Sequence, residues 1–199
     1  MKEKTFLNER RRSEDKTHHS SLIIHQSSVG QNEQSREWYA LRVRSRHEFV
    51  TYNELSRKGI EAYLPTVKKW SQWKDRKKLV EFPLFSGYLF AHININSQEY
   101  FNTLKTKGAV NILSLKGGRP APVPPDEIHS LRILVESGEE LDIYPHFKEG
   151  TKVIVTKGLL KGATGILTRK ETHCVFSVDV ILLGKSVGVK VLADDVESI

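Results

Sequence analysis

The sequence predicts an α+β protein in two units, a sheet covered by helices followed by a small all-β barrel. From Glu37 to Gly138, alternating apolar runs typical of strands are interspersed with segments of helical spacing. Their order, β-α-β-β-α-β-α, predicts a split βαβ sandwich with helices on one face of its sheet. Beyond Gly150 no helical period remains, and short β-runs separated by glycines predict a barrel of about 50 residues.

Composition places the boundaries of these units. Residues 1–35 are polar and mixed in charge, which predicts a disordered tail. The first unit then covers residues 36–137, an acidic linker containing Pro and Gly covers 138–149, and the second unit covers 150–199.

The first strand and helix follow from the stretch that begins at Glu37. In EWYALRVRS, Trp38 and Ala40 share one face and Tyr39 and Leu41 share the other. Ser45 followed by Glu48 predicts a capping box and a helix start. The helix is expected to stop at Gly59.

The remaining elements of the first unit have weaker signals. Pro65 interrupts the second strand, which favours an edge or a bulge. Asn96 with Glu99 three residues later predicts the start of a second helix. Asp126 and Glu127 suit the N-terminus of a third helix.

The stretch FPLFSGYLFAHI, residues 82–93, predicts a strand that is apolar on both faces. Strict alternation places Leu84, Tyr88 and Phe90 on one face and Phe85 and Leu89 on the other. One face packs the helices, so the other requires a second partner.

Charge and cysteine content restrict the function classes. Residues 36–110 carry 14 Lys or Arg and 7 Asp or Glu, an excess of 7 that equals the net charge of the chain. This asymmetry favours a polyanion-binding surface on the first unit over a merely solvated basic face. Cys174 is the only cysteine, so the sequence predicts no disulfide framework or cysteine metal cluster and favours a reducing, cytoplasmic setting.

Enzymatic function is not expected. His173 precedes Cys174, but neighbours on a strand face opposite sides and cannot form a nucleophile–base pair. The chain lacks HExxH, P-loop and paired-carboxylate motifs, and its eight histidines are scattered. No cofactor, no metal and no membrane-spanning segment is predicted.

Several motifs, taken in order, carry a family resemblance. These are WYALRVRSRHE, GIEAYLPTVKKW, PLFSGYLF and RPAPVP, followed by GTKVIVTKGLLKGATGILTR at residues 150–169. The first four resemble a NusG N-terminal domain, with Ser86 where the family has proline, and the last resembles a KOW motif, with Leu159–Leu160 where Pro-Phe is usual. The resemblance implies a ferredoxin-like split βαβ sandwich followed by an SH3-like KOW barrel.

Three details are similar to the specialised RfaH/UpxY paralogs, including those of capsular polysaccharide operons. They are the PLF before SGY, the LP of AYLP and the long polar N-terminal extension. The resemblance therefore implies an operon-specific antiterminator that binds polymerase and suppresses pausing and termination. A general NusG-like elongation or termination factor and a KOW-type RNA- or ribosome-binding protein are the alternatives.

The resemblance also implies a polymerase-binding site for the clamp helices of the β′ subunit. Tyr88 and Phe90 carry over as contacts, with Leu84 and Leu64 as flanking members. The alternative is that this apolar face packs against the second unit, and both hold if that packing is autoinhibitory.

Two basic clusters are candidates for contact with DNA of the transcription bubble. The first lies in KKWSQWKDRKK and comprises Lys68, Lys69, Trp73, Lys77 and Lys78. The second is Arg42, Arg44, Arg46 and His47. Basic residues interleaved with aromatics can hold phosphates and stack on bases, although packing within a hairpin equally explains one of Trp70 and Trp73.

In the second unit, the family binds Rho or a ribosomal protein through an apolar loop. Leu183 stands where the housekeeping factor has an aromatic residue. This replacement favours a ribosomal protein or another regulator over Rho. The protein itself is expected to be a monomer.

Overall fold

The computed structural model describes residues 36–72, 75–115, 118–145, 150–169 and 174–199. The predicted tail at residues 1–35 and the residues Trp73 and His173 lie outside these ranges. Helices and sheets are both present, which confirms the prediction of mixed α and β content. The strands of the first unit are β1 (Glu37–Val43), β2 (Glu61–Tyr63), β3 (Thr66–Gln72), β4 (Lys77–Pro83), β5 (Tyr88–Ile93), β6 (Ala109–Ile112) and β7 (Pro122–Val123), and its helices are α1 (Glu48–Arg57), α2 (Gln98–Leu104) and α3 (Pro125–Glu136).

The first sheet has the strand order β2-β5-β1-β6, with β7 also beside β1. β1 runs antiparallel to β5 and lies near the centre of the sheet, so alternate side chains of β1 point to opposite layers. One layer, the outer face, packs α1 and α2 and includes Tyr39, Leu41, Leu89 and Ala91. The opposite layer, the inner face, includes Trp38, Ala40, Tyr63 and Phe90.

Strands β3 and β4 form a separate two-stranded sheet, named here the basic hairpin. Its register is continuous from the Thr66–Pro83 pair to the Gln72–Lys77 pair. Pro65 therefore falls between β2 and β3, where the chain leaves the first sheet. The predicted single strand through this proline is two strands in two different sheets.

The second sheet has six antiparallel strands in the order β13-β9-β10-β11-β12-β8. Its end strands β8 and β13 do not pair within the described residues, so the sheet is open and the predicted closed barrel is not confirmed. The strands are β8 (Asp142–Pro145), β9 (Thr151–Val155), β10 (Thr164–Arg169), β11 (Cys174–Val180), β12 (Lys185–Val191) and β13 (Val196–Ser198).

Strand β8 lies in the segment that composition predicted to be a linker. It pairs with β12 through Val187 and Ile143, and Gly188 makes room for the ring of Tyr144. A Cβ added at Gly188 would lie 2.8 Å from a ring carbon of Tyr144, closer than van der Waals contact permits. The acidic composition of this segment concealed a strand whose partner is more than 40 residues away.

The helix starts differ from the predicted caps. The N-cap of α1 is His47, and no side chain caps this helix. The carboxylate of Glu48, which the capping box would use, instead accepts the backbone N–H of Gly87 at 2.7 Å. Helix α2 begins at Gln98 and is capped by Ser97, whose hydroxyl oxygen accepts the N–H of Glu99. In both cases a helix starts near the predicted residues, but at α1 the Glu48 carboxylate accepts an N–H from a distant segment, and at α2 the capping acceptor is Ser97 and not Asn96.

Helix α3 lies on the inner face, whereas α1 and α2 lie on the outer face. Its buried residues Ile128, Leu131 and Leu134 join Phe90 and Ala40 in one core cluster. The prediction that all the helices cover one face is therefore wrong. The face left open by α1 and α2 is occupied by α3 and, beyond it, by the second sheet, whose Phe176, Val178, Val180, Val187 and Val189 belong to the same cluster.

Candidate functional site

The centre of the inner face is a cluster of three aromatic rings. Phe90 lies 6.2 Å from Tyr63 in a stacked arrangement and 6.2 Å from Phe85 in an edge-to-face arrangement, measured between ring centroids. Phe85 and Phe90 are both 0% exposed, and Leu84 is also buried. Tyr88 lies beside the cluster and is only half-buried. These rings form a large apolar surface, typical of the centre of a protein interface.

Phe85 joins this cluster because a turn interrupts the strand. The N–H of Tyr88 donates to the carbonyl of Phe85, and Gly87 has a φ of 83°, a conformation that favours glycine. Strand β5 therefore begins only at Tyr88, and alternation does not extend back to Phe85. The prediction that Phe85 faces away from Phe90 is wrong for this reason, and the glycine of SGY was the signal for the turn.

Leu64 does not lie with the other predicted contacts. It packs in the outer-face cluster with Leu55, Ile60 and Leu89, one residue beyond Tyr63, which points to the inner face. The prediction that Leu64 flanks the same surface as Phe90 is therefore wrong. Tyr63 occupies that place instead.

Helix α3 is held on the inner face by Arg132 as well as by apolar contacts. The Arg132 guanidinium carbon lies 5.2 Å from the ring centroid of Trp38 and 5.0 Å from that of Tyr63. A guanidinium nitrogen of Arg132, Nη2, also lies 3.6 Å from Oε1 of Glu61, whose other carboxylate oxygen lies 2.9 Å from Nδ1 of His92. A guanidinium that contacts two rings stabilises the helix position more than its exposed ion pair does.

The second sheet contacts both α3 and the aromatic segment. The hydroxyl oxygen of Ser130 on α3 accepts the N–H of Thr164 on β10 at 2.9 Å, and the two hydroxyl groups lie 3.2 Å apart. The Lys185 ammonium of β12 lies 6.0 Å from the ring centroid of Phe85. The second sheet therefore contacts Phe85 of the segment PLFSGY as well as the helix beside it.

One carboxyl group at this contact has an altered pKa. Burial and, secondly, the negative charge of Asp179 on β11 together raise the pKa of Glu127, in the first turn of α3, to about 7. Burial also raises the pKa of the Tyr63 hydroxyl, whose oxygen has no hydrogen-bond partner in the described structure. Both groups belong to the surfaces that α3 and the second sheet bring together.

The predicted basic residues of the hairpin are exposed but do not share one face. In the β3–β4 register, Lys68 and Lys77 lie on the same side as Trp70, and Lys69 and Lys78 lie on the opposite side. Trp70 itself is 70% exposed. The sequence predicted one cluster where the structure has two opposite pairs, since neighbouring residues of a strand diverge.

The second basic cluster lies at the end of β1 and in the turn to α1. Arg42, Arg44 and Arg46 are exposed, His47 is partly buried, and Arg46 has a positive φ of 62°. The register of β1 and β5 pairs Arg42 with Tyr88. The structure therefore places this cluster at the margin of the inner face, which the sequence did not predict.

Leu183 is not an exposed loop tip. It is partly buried and packs against the core shared by the two sheets, whereas Ile181, in the same turn, is 61% exposed. The positions of Tyr63 and Arg132 at this site were not predicted from the sequence. Their contacts join residues that are distant along the chain, so no local sequence pattern indicates them.

Two negative findings apply to the described ranges only. Within them, no helix is long and apolar enough to cross a membrane. No group of His, Cys, Asp and Glu side chains in those same ranges is arranged to hold a metal ion.

Comparisons with known proteins identify a family that the first unit resembles. Residues 36–132, which include the whole first sheet and most of α3, match the family described as "Transcription termination factor nusG". This part of the chain is similar to the NusG family. Proteins of that family are non-enzymatic transcription factors that bind RNA polymerase. The match therefore supports the prediction that this chain is not an enzyme.

The similarity to a curated NusG protein extends along most of the chain. The "Transcription termination/antitermination protein NusG" of Campylobacter jejuni is 24% identical over 175 residues, which cover 83% of this chain and 98% of that protein. Among solved structures, "Domain interaction in Thermotoga maritima NusG" aligns at 20% identity and a TM-score of 0.48, covering 83% of this chain and 98% of the other. An Spt4:Spt5 complex, "MjSpt4:Spt5 complex conformation B", aligns at 12% identity and a TM-score of 0.28, covering 81% and 96%.

Proposed function

We propose that this chain is an operon-specific antiterminator of the NusG family that binds RNA polymerase during elongation and suppresses pausing and termination. The observation that carries the proposal is the aromatic inner face, whose Phe85 and Phe90 are completely buried although α1 and α2 pack only the opposite face. A sheet that is apolar on both sides needs a second partner. In this proposal that partner is α3 with the second sheet in the closed protein, and polymerase in the active one.

The proposed contacts with the β′ clamp helices are Leu84, Phe85, Tyr88 and Phe90. A pair of amphipathic helices would need an apolar groove with aromatic anchors, and these residues offer one once the second sheet moves away. Tyr88 is already half-exposed and lies opposite Arg42, so it is a first point of contact before opening. Leu64 is left out because it packs on the outer face.

In this proposal nucleic acid of the transcription bubble is contacted beside the polymerase. The basic hairpin and the cluster Arg42, Arg44, Arg46 and His47 are the two candidate surfaces, and all the basic residues of β3 and β4 are exposed. Their charge excess favours a polyanion because the rest of the chain is close to neutral.

The second sheet is proposed to be a KOW-type unit that recruits a further partner. A ribosomal protein or another regulator is the proposed partner, with Rho less favoured. In the closed arrangement Leu183 is partly buried in the shared core, so a partner that uses Leu183 would also require opening. Ile181 is the exposed apolar residue next to it.

A general NusG-like factor is the second candidate. The alignment with the Campylobacter jejuni protein named for both termination and antitermination favours it, because that alignment covers nearly the whole relative. The KOW-type RNA- or ribosome-binding alternative is less favoured, since the charge excess lies in the first unit and not in the second.

Deleting the gene and sequencing total RNA distinguishes the two candidates. For the specialised factor, transcripts of one or a few long operons, for example a surface-polysaccharide cluster, should decline with distance from their promoters while other transcripts remain unchanged. A genome-wide rise in read-through at Rho-dependent ends would instead identify a general factor.

A further inference from the structure

We propose that one face of the basic hairpin is a stacking platform for single-stranded nucleic acid, with Trp70 as the stacking residue. This face, named here the Trp70 face, is made of Lys68, Trp70 and Gln72 on β3 and Lys77, Leu79 and Glu81 on β4. The inference rests on the proposed function in that it names the hairpin's ligand and the residues that hold it.

The register of the hairpin separates its two faces. Trp70 pairs directly with Leu79, Lys68 pairs with Glu81, and the Gln72–Lys77 pair follows on the same side. Lys69 and Lys78 pair with Val80 and Ser71 on the other side, which is named here the Val80 face. A ligand on one face therefore contacts only half of the strand lysines.

The Trp70 face is the one that points away from the rest of the molecule. Trp70 is 70% exposed and Leu79 is 45% exposed, whereas Val67, Ser71 and Val80 of the opposite face are partly covered. Val67, Lys69 and Phe82 line a groove of about 390 Å³ together with Leu141–Ile143 of the second unit. The chain covers part of the Val80 face itself and leaves the indole uncovered.

Hairpin stability alone does not account for Trp70. A cross-strand pair such as Trp70–Leu79 contributes roughly 0.2–1 kcal/mol, and a smaller β-branched residue would contribute comparably. Most of the indole surface lies outside that pair because 70% of the residue is exposed. An indole as exposed as this one is a group on which unpaired bases stack.

Charge decides in favour of nucleic acid over a protein partner. The stretch from Lys68 to Lys78 contains six Lys or Arg and one Asp, which favours an acidic ligand. On the Trp70 face, Lys68 and Lys77 lie on either side of the Trp70–Leu79 pair, at the spacing of alternate residues along each strand. Glu81 is the one acid of this face, and its carboxylate accepts the hydroxyl of Thr66 at 2.6 Å near the base of the hairpin.

Binding of a fluorescent oligothymidine to the full-length protein, followed by anisotropy at several salt concentrations, tests the proposal. Trp70→Ala should weaken binding on the order of tenfold because base–aromatic stacking is lost, and Trp70→Phe should recover most of the affinity. Replacing both Lys68 and Lys77 with Gln should lower the log–log salt slope by about 1.4, since each single-strand phosphate contact contributes about 0.7.

Two matched variants separate specific contact from general charge. Lys69→Gln with Lys78→Gln makes the same charge change on the Val80 face and should cost less affinity. Glu81→Gln removes the acid of the Trp70 face and should tighten binding. Circular dichroism melting of each variant checks that the fold is retained.

Any of three results would overturn the proposal. The first is an unchanged affinity for oligothymidine in a folded Trp70→Ala protein. The second is an equal loss of affinity in the Lys68/Lys77 and Lys69/Lys78 variants. The third is tighter binding of the wild-type protein to duplex DNA, to an acidic peptide or to phosphatidylglycerol vesicles than to the single strand. Parallel pull-downs with core polymerase keep the two ideas apart. If the variants bind polymerase and oligothymidine as the wild type does, this inference alone is rejected. If the protein does not bind polymerase but its binding of oligothymidine depends on Trp70, only the proposed function is rejected.

Discussion

Glu127 on α3 is an acid whose pKa depends in part on a residue of the second sheet. Its pKa is raised to about 7, mainly by burial and secondly by the charge of Asp179 on the second sheet. A carboxyl group with a raised pKa in the packed state binds more protons there than in the open state. Packing is therefore favoured at low pH, and its stabilisation is lost as the pH rises through about 7.

Replacing Glu127 with Gln should make the packing of the sheets less dependent on pH. We expect the melting temperature of the wild-type protein to fall between pH 6 and pH 8. In Glu127→Gln this fall should be much smaller, and the variant should be more stable than the wild type at pH 8. Asp126→Asn is the matched control, since Asp126 is the exposed acid next to it in the same helical turn. An identical pH profile for wild type and Glu127→Gln would contradict the assignment.

At the scale of single elements, β5 and the turn before it determine what the inner face presents. The turn at Ser86–Gly87 brings Phe85 onto the side of Phe90, and the hydrogen bond from Gly87 to Glu48 fixes that turn against α1. The inner face consequently carries one more aromatic ring than alternation alone predicts. Its central ring, Phe90, is too deeply packed to serve as a clean probe of binding.

Truncating the two aromatics of β5 should therefore have different effects. Phe90→Ala should destabilise the protein by ~3–5 kcal/mol because it removes a fully buried ring. Tyr88→Ala should cost much less stability, since Tyr88 is half-exposed, yet it should weaken polymerase binding. Urea unfolding and polymerase pull-down of both variants provide the test, and normal polymerase capture by Tyr88→Ala would remove Tyr88 from the proposed site.

The sequence was a good guide where structure is local and a poor one where it is tertiary. The alternation of Trp38, Tyr39, Ala40 and Leu41 correctly predicted the two faces of β1, because a strand has a fixed period. The side of the sheet on which α3 lies could not be predicted, since a helix with one apolar stripe packs equally well on either face. β8 was concealed for a similar reason, as its strand character depends on a distant partner.

The candidate site was predictable in part. Leu84, Tyr88 and Phe90 were correctly grouped on one face, while Leu64 was misplaced because the chain leaves the sheet after Tyr63. The hairpin lysines are exposed, as a contact with nucleic acid requires, but their division between two faces could be seen only from the β3–β4 register. The contacts of Arg132 with Trp38 and Tyr63 join three distant segments and have no signature in any one of them.

At the scale of the whole molecule, one core connects the two sheets through α3. Phe90 and Leu131 of the first unit and Phe176 and Val178 of the second belong to the same buried cluster. The surface that would bind polymerase is thus interior in this arrangement. In the proposed function, polymerase binding has to compete with the second sheet. A change that weakens only the packing of the second sheet should then increase the affinity for polymerase.

The affinity of the full-length protein for core RNA polymerase, compared between wild type and Thr164→Arg, tests this central claim most directly. The side-chain hydroxyl of Thr164 on β10 lies 3.2 Å from that of Ser130 on α3, so the much longer side chain of arginine there should separate the second sheet from α3 without altering any residue of the inner face. Thr151→Arg, the same substitution at an exposed position of β9, is the control. We predict at least a tenfold gain in affinity, about 1.4 kcal/mol, for Thr164→Arg and none for Thr151→Arg. Equal or weaker binding by a folded Thr164→Arg protein would contradict the claim that the second sheet covers the polymerase-binding face.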